Sequence, residues 1–124
     1  MTRAEDVRAA VGLGATYLGV IFAGGPRSID PDTAATILAM AGSATRRVGV
    51  FGQETAAAIS AACRTAGLDI IQLHADPTPD RVVEVRAVSG RQIWAAVRVR
   101  DGELPDMYAD LLGLADAIVL DAVV

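Results

Sequence analysis

The sequence predicts an α/β protein with an all-parallel sheet, and three observations favour this class. Five short β-rich runs alternate with Ala-rich helical stretches along the 124 residues. The runs begin about every 22 to 30 residues, which suits a strand–helix unit and is too long for a hairpin. Each run is almost continuously apolar, as parallel strands covered on both faces should be. With 52% hydrophobic residues, a single domain over 1–124 has enough material for one core.

The strands and helices are predicted in the order αβαβαβαβαβ, with no linker between them. The predicted strands cover residues 17–22, 47–51, 70–73, 93–99 and 117–120. An amphipathic first helix runs from Ala4 to about Gly12. The second begins at Asp30-Pro31, an N-cap followed by proline, and places Ile37, Leu38 and Ala41 on one face.

The remaining helices carry start and stop signals of the same kind. The third is recognised by an apolar stripe at helical spacing that Gly67 terminates, formed by Ile59, Ala62, Cys63 and Ala66. The fourth begins at Thr78-Pro79 and ends at Gly90. The fifth is predicted over residues 104–114, with Pro105 near its start.

Composition and charge exclude several kinds of protein. All eleven basic residues are Arg, so Schiff-base lysine chemistry and a phosphate loop ending in Gly-Lys-Ser/Thr are excluded. These arginines are dispersed and the net charge is −4, so no nucleic-acid partner is expected. One Cys and one His cannot by themselves build a zinc site. No apolar run approaches the roughly 18 to 20 residues that span a bilayer, and the single Cys suits a cytoplasmic protein.

Polar residues that could carry chemistry follow the predicted strands. In parallel α/β folds the working side chains sit at the carboxyl ends of strands. Four such segments occur, at residues 23–28, 72–76, 98–101 and 120–122. Composition alone leaves open whether the sheet is an open flavodoxin-like one or belongs to a closed barrel. No Gly-x-Gly-x-x-Gly pattern follows the first strand, which disfavours the flavodoxin-like binding domain.

Six segments, in order and with matching spacing, resemble phosphoribosylanthranilate isomerase, the (β/α)8 barrel of tryptophan biosynthesis. They are residues 2–6 (Thr-Arg-Ala-Glu-Asp), 18–22 (Leu-Gly-Val-Ile-Phe), 26–29 (Pro-Arg-Ser-Ile), 48–51 (Val-Gly-Val-Phe), 72–74 (Gln-Leu-His) and 119–122 (Val-Leu-Asp-Ala). The resemblance covers essentially the whole chain. It implies a partial TIM barrel, about strands two to six with their helices.

The resemblance also implies a reaction and roles for single residues. The family carries out an Amadori rearrangement of N-(5-phosphoribosyl)anthranilate, without cofactor or metal. Asp121 matches the general acid, and a partly shielded carboxylic acid can hold its proton to near neutral pH. Arg27 matches the residue that binds the anthranilate carboxylate, a task suited to a planar bidentate donor. The alternative for Asp121 is a solvated aspartate that caps the next helix. The alternative for Arg27 is a surface charge after a Gly-Pro turn.

Other polar residues have weaker assignments. His74 matches a histidine that lines the family's substrate site, and the alternative is a hydrogen-bonded core histidine. Gln72 is interpreted as a polar residue of the barrel interior. Arg98 and Asp76 are weak candidates, for which we expect solvent exposure. Cys63 lies on the apolar stripe of a helix and is expected to be structural.

The sequence departs from the family pattern at both ends. The family's general base is a Cys in a Lys-x-Cys-Gly motif on its first strand, before the residues matched by Thr2 onward. Its phosphate-binding glycine-rich loops follow strands seven and eight, beyond the residues matched up to Val124. We therefore expect an incomplete barrel, poor turnover by these 124 residues alone, and self-association through exposed sheet edges. The alternative function is a non-catalytic half-barrel remnant or assembly module.

Overall fold

The computed structural model describes residues 17–22, 31–39, 45–74 and 76–122, and within them strands alternate with helices. The elements are β1 (Tyr17–Ile21), α1 (Pro31–Leu38), β2 (Arg46–Phe51), α2 (Ala56–Ala66), β3 (Ile70–Leu73), α3 (Pro79–Ser89), β4 (Gln92–Val99), α4 (Tyr108–Leu114) and β5 (Ala117–Ala122). The five predicted strands are confirmed to within two residues at each end. The predicted first helix, Asp30 and Ala41 lie outside the described residues.

All four strand pairings are parallel, and the strands follow one another in the sheet as β1-β2-β3-β4-β5. A flavodoxin-like sheet would instead have the order 2-1-3-4-5. Successive helices contact each other, α1 with α2, α2 with α3, and α3 with α4. This sequential winding, with the helices in one layer, is that of a (β/α)8 barrel segment, so the predicted fold class is confirmed.

The hydrophobic core lies between the helices and the outer face of the sheet. Alternate strand residues that face the helices are fully buried there: Phe51, Ile71, Leu73, Ile93, Ala95 and Val97. The predicted stripe of α2 packs against this layer, since Ile59, Ala62, Cys63 and Ala66 are all buried. Burial of this apolar area, at about 25 cal/mol per Å², is the main force that holds helices to sheet.

The inner face of the sheet is strongly curved, as a contact between two aromatic side chains demonstrates. The rings of Tyr17 on β1 and Trp94 on β4 meet edge to face, with centroids 5.1 Å apart. Two strands lie between them, and at about 4.8 Å per strand a flat sheet would separate β1 from β4 by about 14 Å. The sheet therefore bends around its inner face, as the wall of a barrel does.

The ends of the helices follow the expected capping chemistry. α3 begins where the Thr78 side chain accepts a hydrogen bond from Arg81 N–H, and it ends at Gly90 with φ of 69°. Gly67, with φ of 70°, ends α2 and donates its N–H to Cys63 O. The fifth predicted helix was wrong at its start, because α4 begins only at Tyr108. Within the described residues no helix is long and apolar enough to cross a bilayer.

Two aspartates each exchange a pair of hydrogen bonds with the neighbouring strand, close to the point where the strands begin. We call each such pair of bonds a clasp. Asp69 accepts Arg47 N–H on its carboxylate at 2.9 Å and donates its own N–H to Arg47 O at 2.9 Å. In the same way, the Asp116 carboxylate accepts Ile93 N–H at 2.7 Å, and Asp116 donates its own N–H to Ile93 O at 2.8 Å. Burial would raise the pKa of Asp116, but hydrogen bonds from Ile93 N–H and the Arg86 guanidinium hold that pKa below its usual range. The clasps fix the registers of β2 with β3 and of β4 with β5.

Gly49 on β2 provides a test of packing at the outer face. A Cβ atom there would lie 2.5 Å from Leu68 Cδ1, 2.9 Å from Phe51 and 3.1 Å from Phe22, whose rings stack at 4.8 Å. Because these groups cannot all retreat, Gly49→Ala should lower the free energy of unfolding by about 1 to 3 kcal/mol. Urea denaturation measures this.

Gly19→Ala is the matched control for Gly49→Ala. It makes the same change on the neighbouring strand β1, where, among the described residues, the nearest atom to a new Cβ is Val48 O at 3.9 Å. An equal loss of stability in both variants would contradict the packing argument.

Candidate active site

Parallel pairing brings the carboxyl ends of all five strands to one edge of the sheet. The described segments that leave this edge are residues 52–55, 74, 76–78 and 100–107, and β5 reaches it at Asp121 and Ala122. This edge is the mouth of a barrel-like wall, and catalytic residues of such folds lie there. We refer to it below as the mouth.

Arg81, in the first turn of α3, holds the turn that follows β2. Its guanidinium donates to Gly52 O at 3.1 Å and to Glu54 O. Glu54 in turn accepts Gly52 N–H on its carboxylate at 2.6 Å. Both bonds come from Nη2, whose two hydrogens reach two carbonyls of the same turn. This turn is therefore set by a side chain from the next strand–helix unit.

His74 lies directly after β3 and is exposed at the mouth. Its N–H donates to Phe51 O at 2.9 Å, so its backbone continues the β2–β3 pairing beyond the strand end. The residue lines a cavity of about 140 Å³ together with Gly52, Gln53, Leu73, Asp76, Pro77, Thr78 and Arg81. The alternative interpretation of His74 as a buried core histidine is wrong, because the side chain is not enclosed.

Asp76 and Arg98 form an ion pair that joins the segment after β3 to the end of β4. Arg98 donates its N–H to Asp76 Oδ1 at 2.7 Å and its Nε–H to Asp76 Oδ2 at 2.8 Å. Burial would raise the pKa of Asp76, yet the hydrogen bonds from Arg98 and the charges of Arg98 and Arg100 hold it below its usual range. We expected both residues to be solvent-exposed, and this was wrong, since both are partly buried.

A tight turn follows β4 beside this ion pair. Arg100 and Glu103 exchange backbone hydrogen bonds of 3.1 and 2.8 Å across Asp101 and Gly102, whose φ angles are 51° and 76°. Two consecutive positive φ angles in an Asp-Gly pair are typical of a type I′ turn. The turn ends at Glu103, and residues 104–107 follow it without helix before α4 begins at Tyr108.

The candidate site residues divide into those that the structure describes and those that it does not. Asp121 lies on β5 as the register partner of Arg98, so its backbone is at the mouth. Arg27 lies outside the described residues. Gln72 is half-buried, in register with Val50 and Trp94, as expected of an interior polar residue. Within the described residues, no group of three or more His, Cys, Asp or Glu side chains could hold a metal ion.

The sequence profile of N-(5'-phosphoribosyl)anthranilate isomerase matches residues 1–122 of this chain. The chain belongs to this family. An isomerase of that name from Paracoccus denitrificans is 39% identical over 123 residues, which make up 98% of this chain and 57% of the relative. One from Halorubrum lacusprofundi is 35% identical over 98% of this chain and 57% of its own length. This chain thus spans less than two thirds of these relatives.

Solved structures of phosphoribosylanthranilate isomerases agree with this membership. The Thermus thermophilus enzyme superposes with a TM-score of 0.86 at 31% identity, covering 98% of this chain and 59% of that one. A phosphoribosylanthranilate isomerase in complex with reduced 1-(o-carboxyphenylamino)-1-deoxyribulose 5-phosphate gives a TM-score of 0.85 at 27% identity. The superposition covers 99% of this chain and 62% of that one. The strands and helices described above therefore have the arrangement of phosphoribosylanthranilate isomerase.

Sequence reasoning missed two features of the mouth of this isomerase family member. The first is the contact of Arg81 with the turn after β2, and the second is the Asp76–Arg98 pair. Both join residues 22 to 29 positions apart that belong to successive strand–helix units. The sequence did contain a signal for both contacts, namely the spacing of about 22 to 30 residues between successive strand–helix units. Residues separated by that spacing occupy equivalent positions in neighbouring units and so lie side by side.

Cys63 is the single thiol of the chain, and its surroundings make it a poor nucleophile. It is 1% exposed, and burial raises its pKa to about 11 against the opposing charges of Arg91 and Arg64. It lies in α2, away from the mouth. The expectation that this cysteine is structural agrees with its burial.

We expect the Cys63 thiol to react at least about 100-fold more slowly with iodoacetamide at pH 8 in the native chain than in urea, because only thiolate reacts. Mass spectrometry follows this single modification. A native rate equal to the denatured rate would show that the thiol is accessible and that its pKa is not raised.

Proposed function

We propose that the whole protein is a phosphoribosylanthranilate isomerase of tryptophan biosynthesis, and that this chain supplies one side of its active site. The substrate would be N-(5-phosphoribosyl)anthranilate and the product 1-(2-carboxyphenylamino)-1-deoxyribulose 5-phosphate. The observation that carries the proposal is the family match along residues 1–122, together with a sheet that leads polar residues to one mouth. The cytoplasmic location expected from the sequence stays a prediction.

Asp121 is proposed as the general acid of this reaction. It would protonate the ribose ring oxygen, so that the ring opens to a Schiff base. A base then removes the C2′ proton, and the resulting enolamine tautomerises to the ketone. The placement of Asp121 at the carboxyl end of β5 supports this role. Cys63 is unsuited to be the base, because it is buried in α2 and its pKa is about 11.

Arg27 and His74 are proposed to bind the substrate. A guanidinium at Arg27 would pair with the anthranilate carboxylate through two parallel hydrogen bonds. His74 is supported by its exposure at the mouth and by the cavity that it lines. Its imidazole could donate to or accept from a polar group of the sugar portion.

A second candidate function is a non-catalytic half-barrel that assembles with other copies. Within the described residues β1 and β5 each pair with a strand on one side only. Unpaired parallel edges offer rows of backbone donors and acceptors to another chain, which favours self-association. This candidate predicts a defined oligomer without turnover.

A chimera distinguishes the two functions. Residues 2–122 would replace the matching segment of the Paracoccus denitrificans relative, which supplies the remaining strands. If this chain carries a working half of an isomerase site, the chimera should consume the fluorescent substrate and support growth of a tryptophan auxotroph. A folded chimera without turnover, beside an active parent relative, would favour the non-catalytic half-barrel. The unmodified 124-residue chain is assayed in parallel, with its mass in solution.

Asp121→Asn in this chimera should lower kcat by at least about 10²- to 10⁴-fold, because an amide cannot deliver the proton. The loss of substrate fluorescence measures turnover, and thermal unfolding should be unchanged. Asp101→Asn makes the same chemical change in an exposed turn and serves as the control. Wild-type turnover in Asp121→Asn would remove this residue from the acid role.

Arg27→Ala should raise KM about 10- to 100-fold, because it removes a charged hydrogen-bond pair to the substrate. Its kcat should change much less. Steady-state kinetics measure both quantities, and calorimetry monitors stability. A lower melting temperature with an unaltered KM would mean that Arg27 has only a structural role.

A further inference from the structure

We propose that Asp76 is a positioning residue, which neutralises Arg98 so that Asp121 on the adjacent strand can keep the proton it donates. The inference rests on the proposed function, since it concerns the same general acid. It is carried by a fixed ion pair and by the strand register that places this pair beside Asp121.

Asp76 is held in place at both its backbone and its carboxylate. Its N–H donates to Ala96 O at 3.1 Å, and its two carboxylate oxygens accept the N–H and Nε–H of Arg98. Its φ of 56° lies in the left-handed region, which aspartate and asparagine tolerate better than most residues. Two hydrogen bonds to the carboxylate and one from the backbone N–H therefore hold Asp76 against β4, in a backbone conformation that few residues accept.

Arg98 and Asp121 occupy the same register position on β4 and β5. Neighbouring strands are separated by about 4.8 Å, so the backbone of Asp121 lies next to the residue that carries the guanidinium. Both residues come one position before the last paired residues of their strands, Val99 and Ala122. The register thus joins an arginine to the proposed acid at the mouth.

An arginine alone in this position would oppose acid catalysis. A positive charge within about 4 to 6 Å typically lowers the pKa of a carboxyl group by 1 to 3 units, because it favours the carboxylate. A carboxylate at 2.8 Å from the guanidinium cancels most of that field at the neighbouring strand. With Asp76 present, Arg98 can join β4 to the segment after β3 without lowering the pKa of Asp121.

The other charged groups near the pair are few among the described residues. His74 and Arg81 line one cavity with Asp76, while Arg100, Asp101 and Glu103 line a second cavity with Asp76 and Arg98. Arg81 is partly buried and its guanidinium donates to Gly52 O and Glu54 O, whereas the other four residues are exposed, so water and salt screen them. Among the described residues, Arg98 is the charged residue in register with Asp121, and Asp76 is its ion-pair partner.

The decisive variant is Asp76→Asn, which keeps the side-chain shape and suits a positive φ but removes the negative charge. In the 124-residue chain, carbon-13 NMR of the aspartate carboxyls follows the titration of Asp121, whose signal is assigned by its loss in Asp121→Asn. The titration midpoint of Asp121 should fall by about 1 pH unit. Asp101→Asn removes the same charge from the exposed turn and should leave the midpoint unchanged.

Arg98→Gln supplies an independent measurement with the opposite sign. It leaves the negative charge of Asp76 uncompensated, so the Asp121 midpoint should rise. The double variant Asp76→Asn/Arg98→Gln should return it to near the wild-type value. A midpoint that moves in neither single variant, or moves equally in Asp101→Asn, would overturn the inference.

Kinetics separate a failure of this inference from a failure of the proposed function. In the active chimera, the alkaline limb of the kcat/KM profile should move to lower pH by about the NMR shift in Asp76→Asn. A titration shift in the 124-residue chain, together with a folded chimera that never turns over, would retain the electrostatic coupling and reject the isomerase. Turnover with an unmoved profile, or an effect confined to KM, would retain the isomerase and reject the positioning role.

Discussion

One-directional curvature of a parallel sheet is the constraint on which the rest of this structure depends. Parallel pairing alone would bring the strand ends to one edge, but in a flat sheet β1 and β4 would stay far apart. The Tyr17–Trp94 contact shows how far the sheet bends. Because the described helices pack on the convex face, apolar burial there and aromatic contact on the concave face favour the same curvature. That curvature makes polar residues on separate strands converge.

The arginines at the mouth and along the helix layer connect neighbouring parts of the fold through hydrogen bonds. Arg47 directs both Nε and Nη2 at Leu38 O, and so ties β2 to the end of α1. Arg81 bridges two carbonyls of one turn, and Arg98 donates to one carboxylate from both its backbone and its side chain. A chain without lysine thus uses guanidinium groups to connect successive strand–helix units.

Much of the fold follows from local pattern, and the parts that do not follow depend on distant residues. Thr78, Gly67 and Gly90 end or begin helices through bonds to residues three or four positions away, so sequence signals suffice for them. The sequence places the start of α4 too early, because Pro105 is typical of a first helical turn, whereas residues 104–107 follow the Asp-Gly turn without helix. The Asp76–Arg98 pair depends on the register of two strands, which no local pattern encodes.

The aspartate clasps at the opposite end of the sheet recur 47 positions apart, at Asp69 and Asp116. Each joins a strand to the next one along the chain, so β2 with β3 and β4 with β5 form equivalent two-strand modules. The boundary between these modules falls in the short connection from α3 to β4. Neither clasp crosses this connection, so a cut or an insertion there would leave both clasped strand pairs intact.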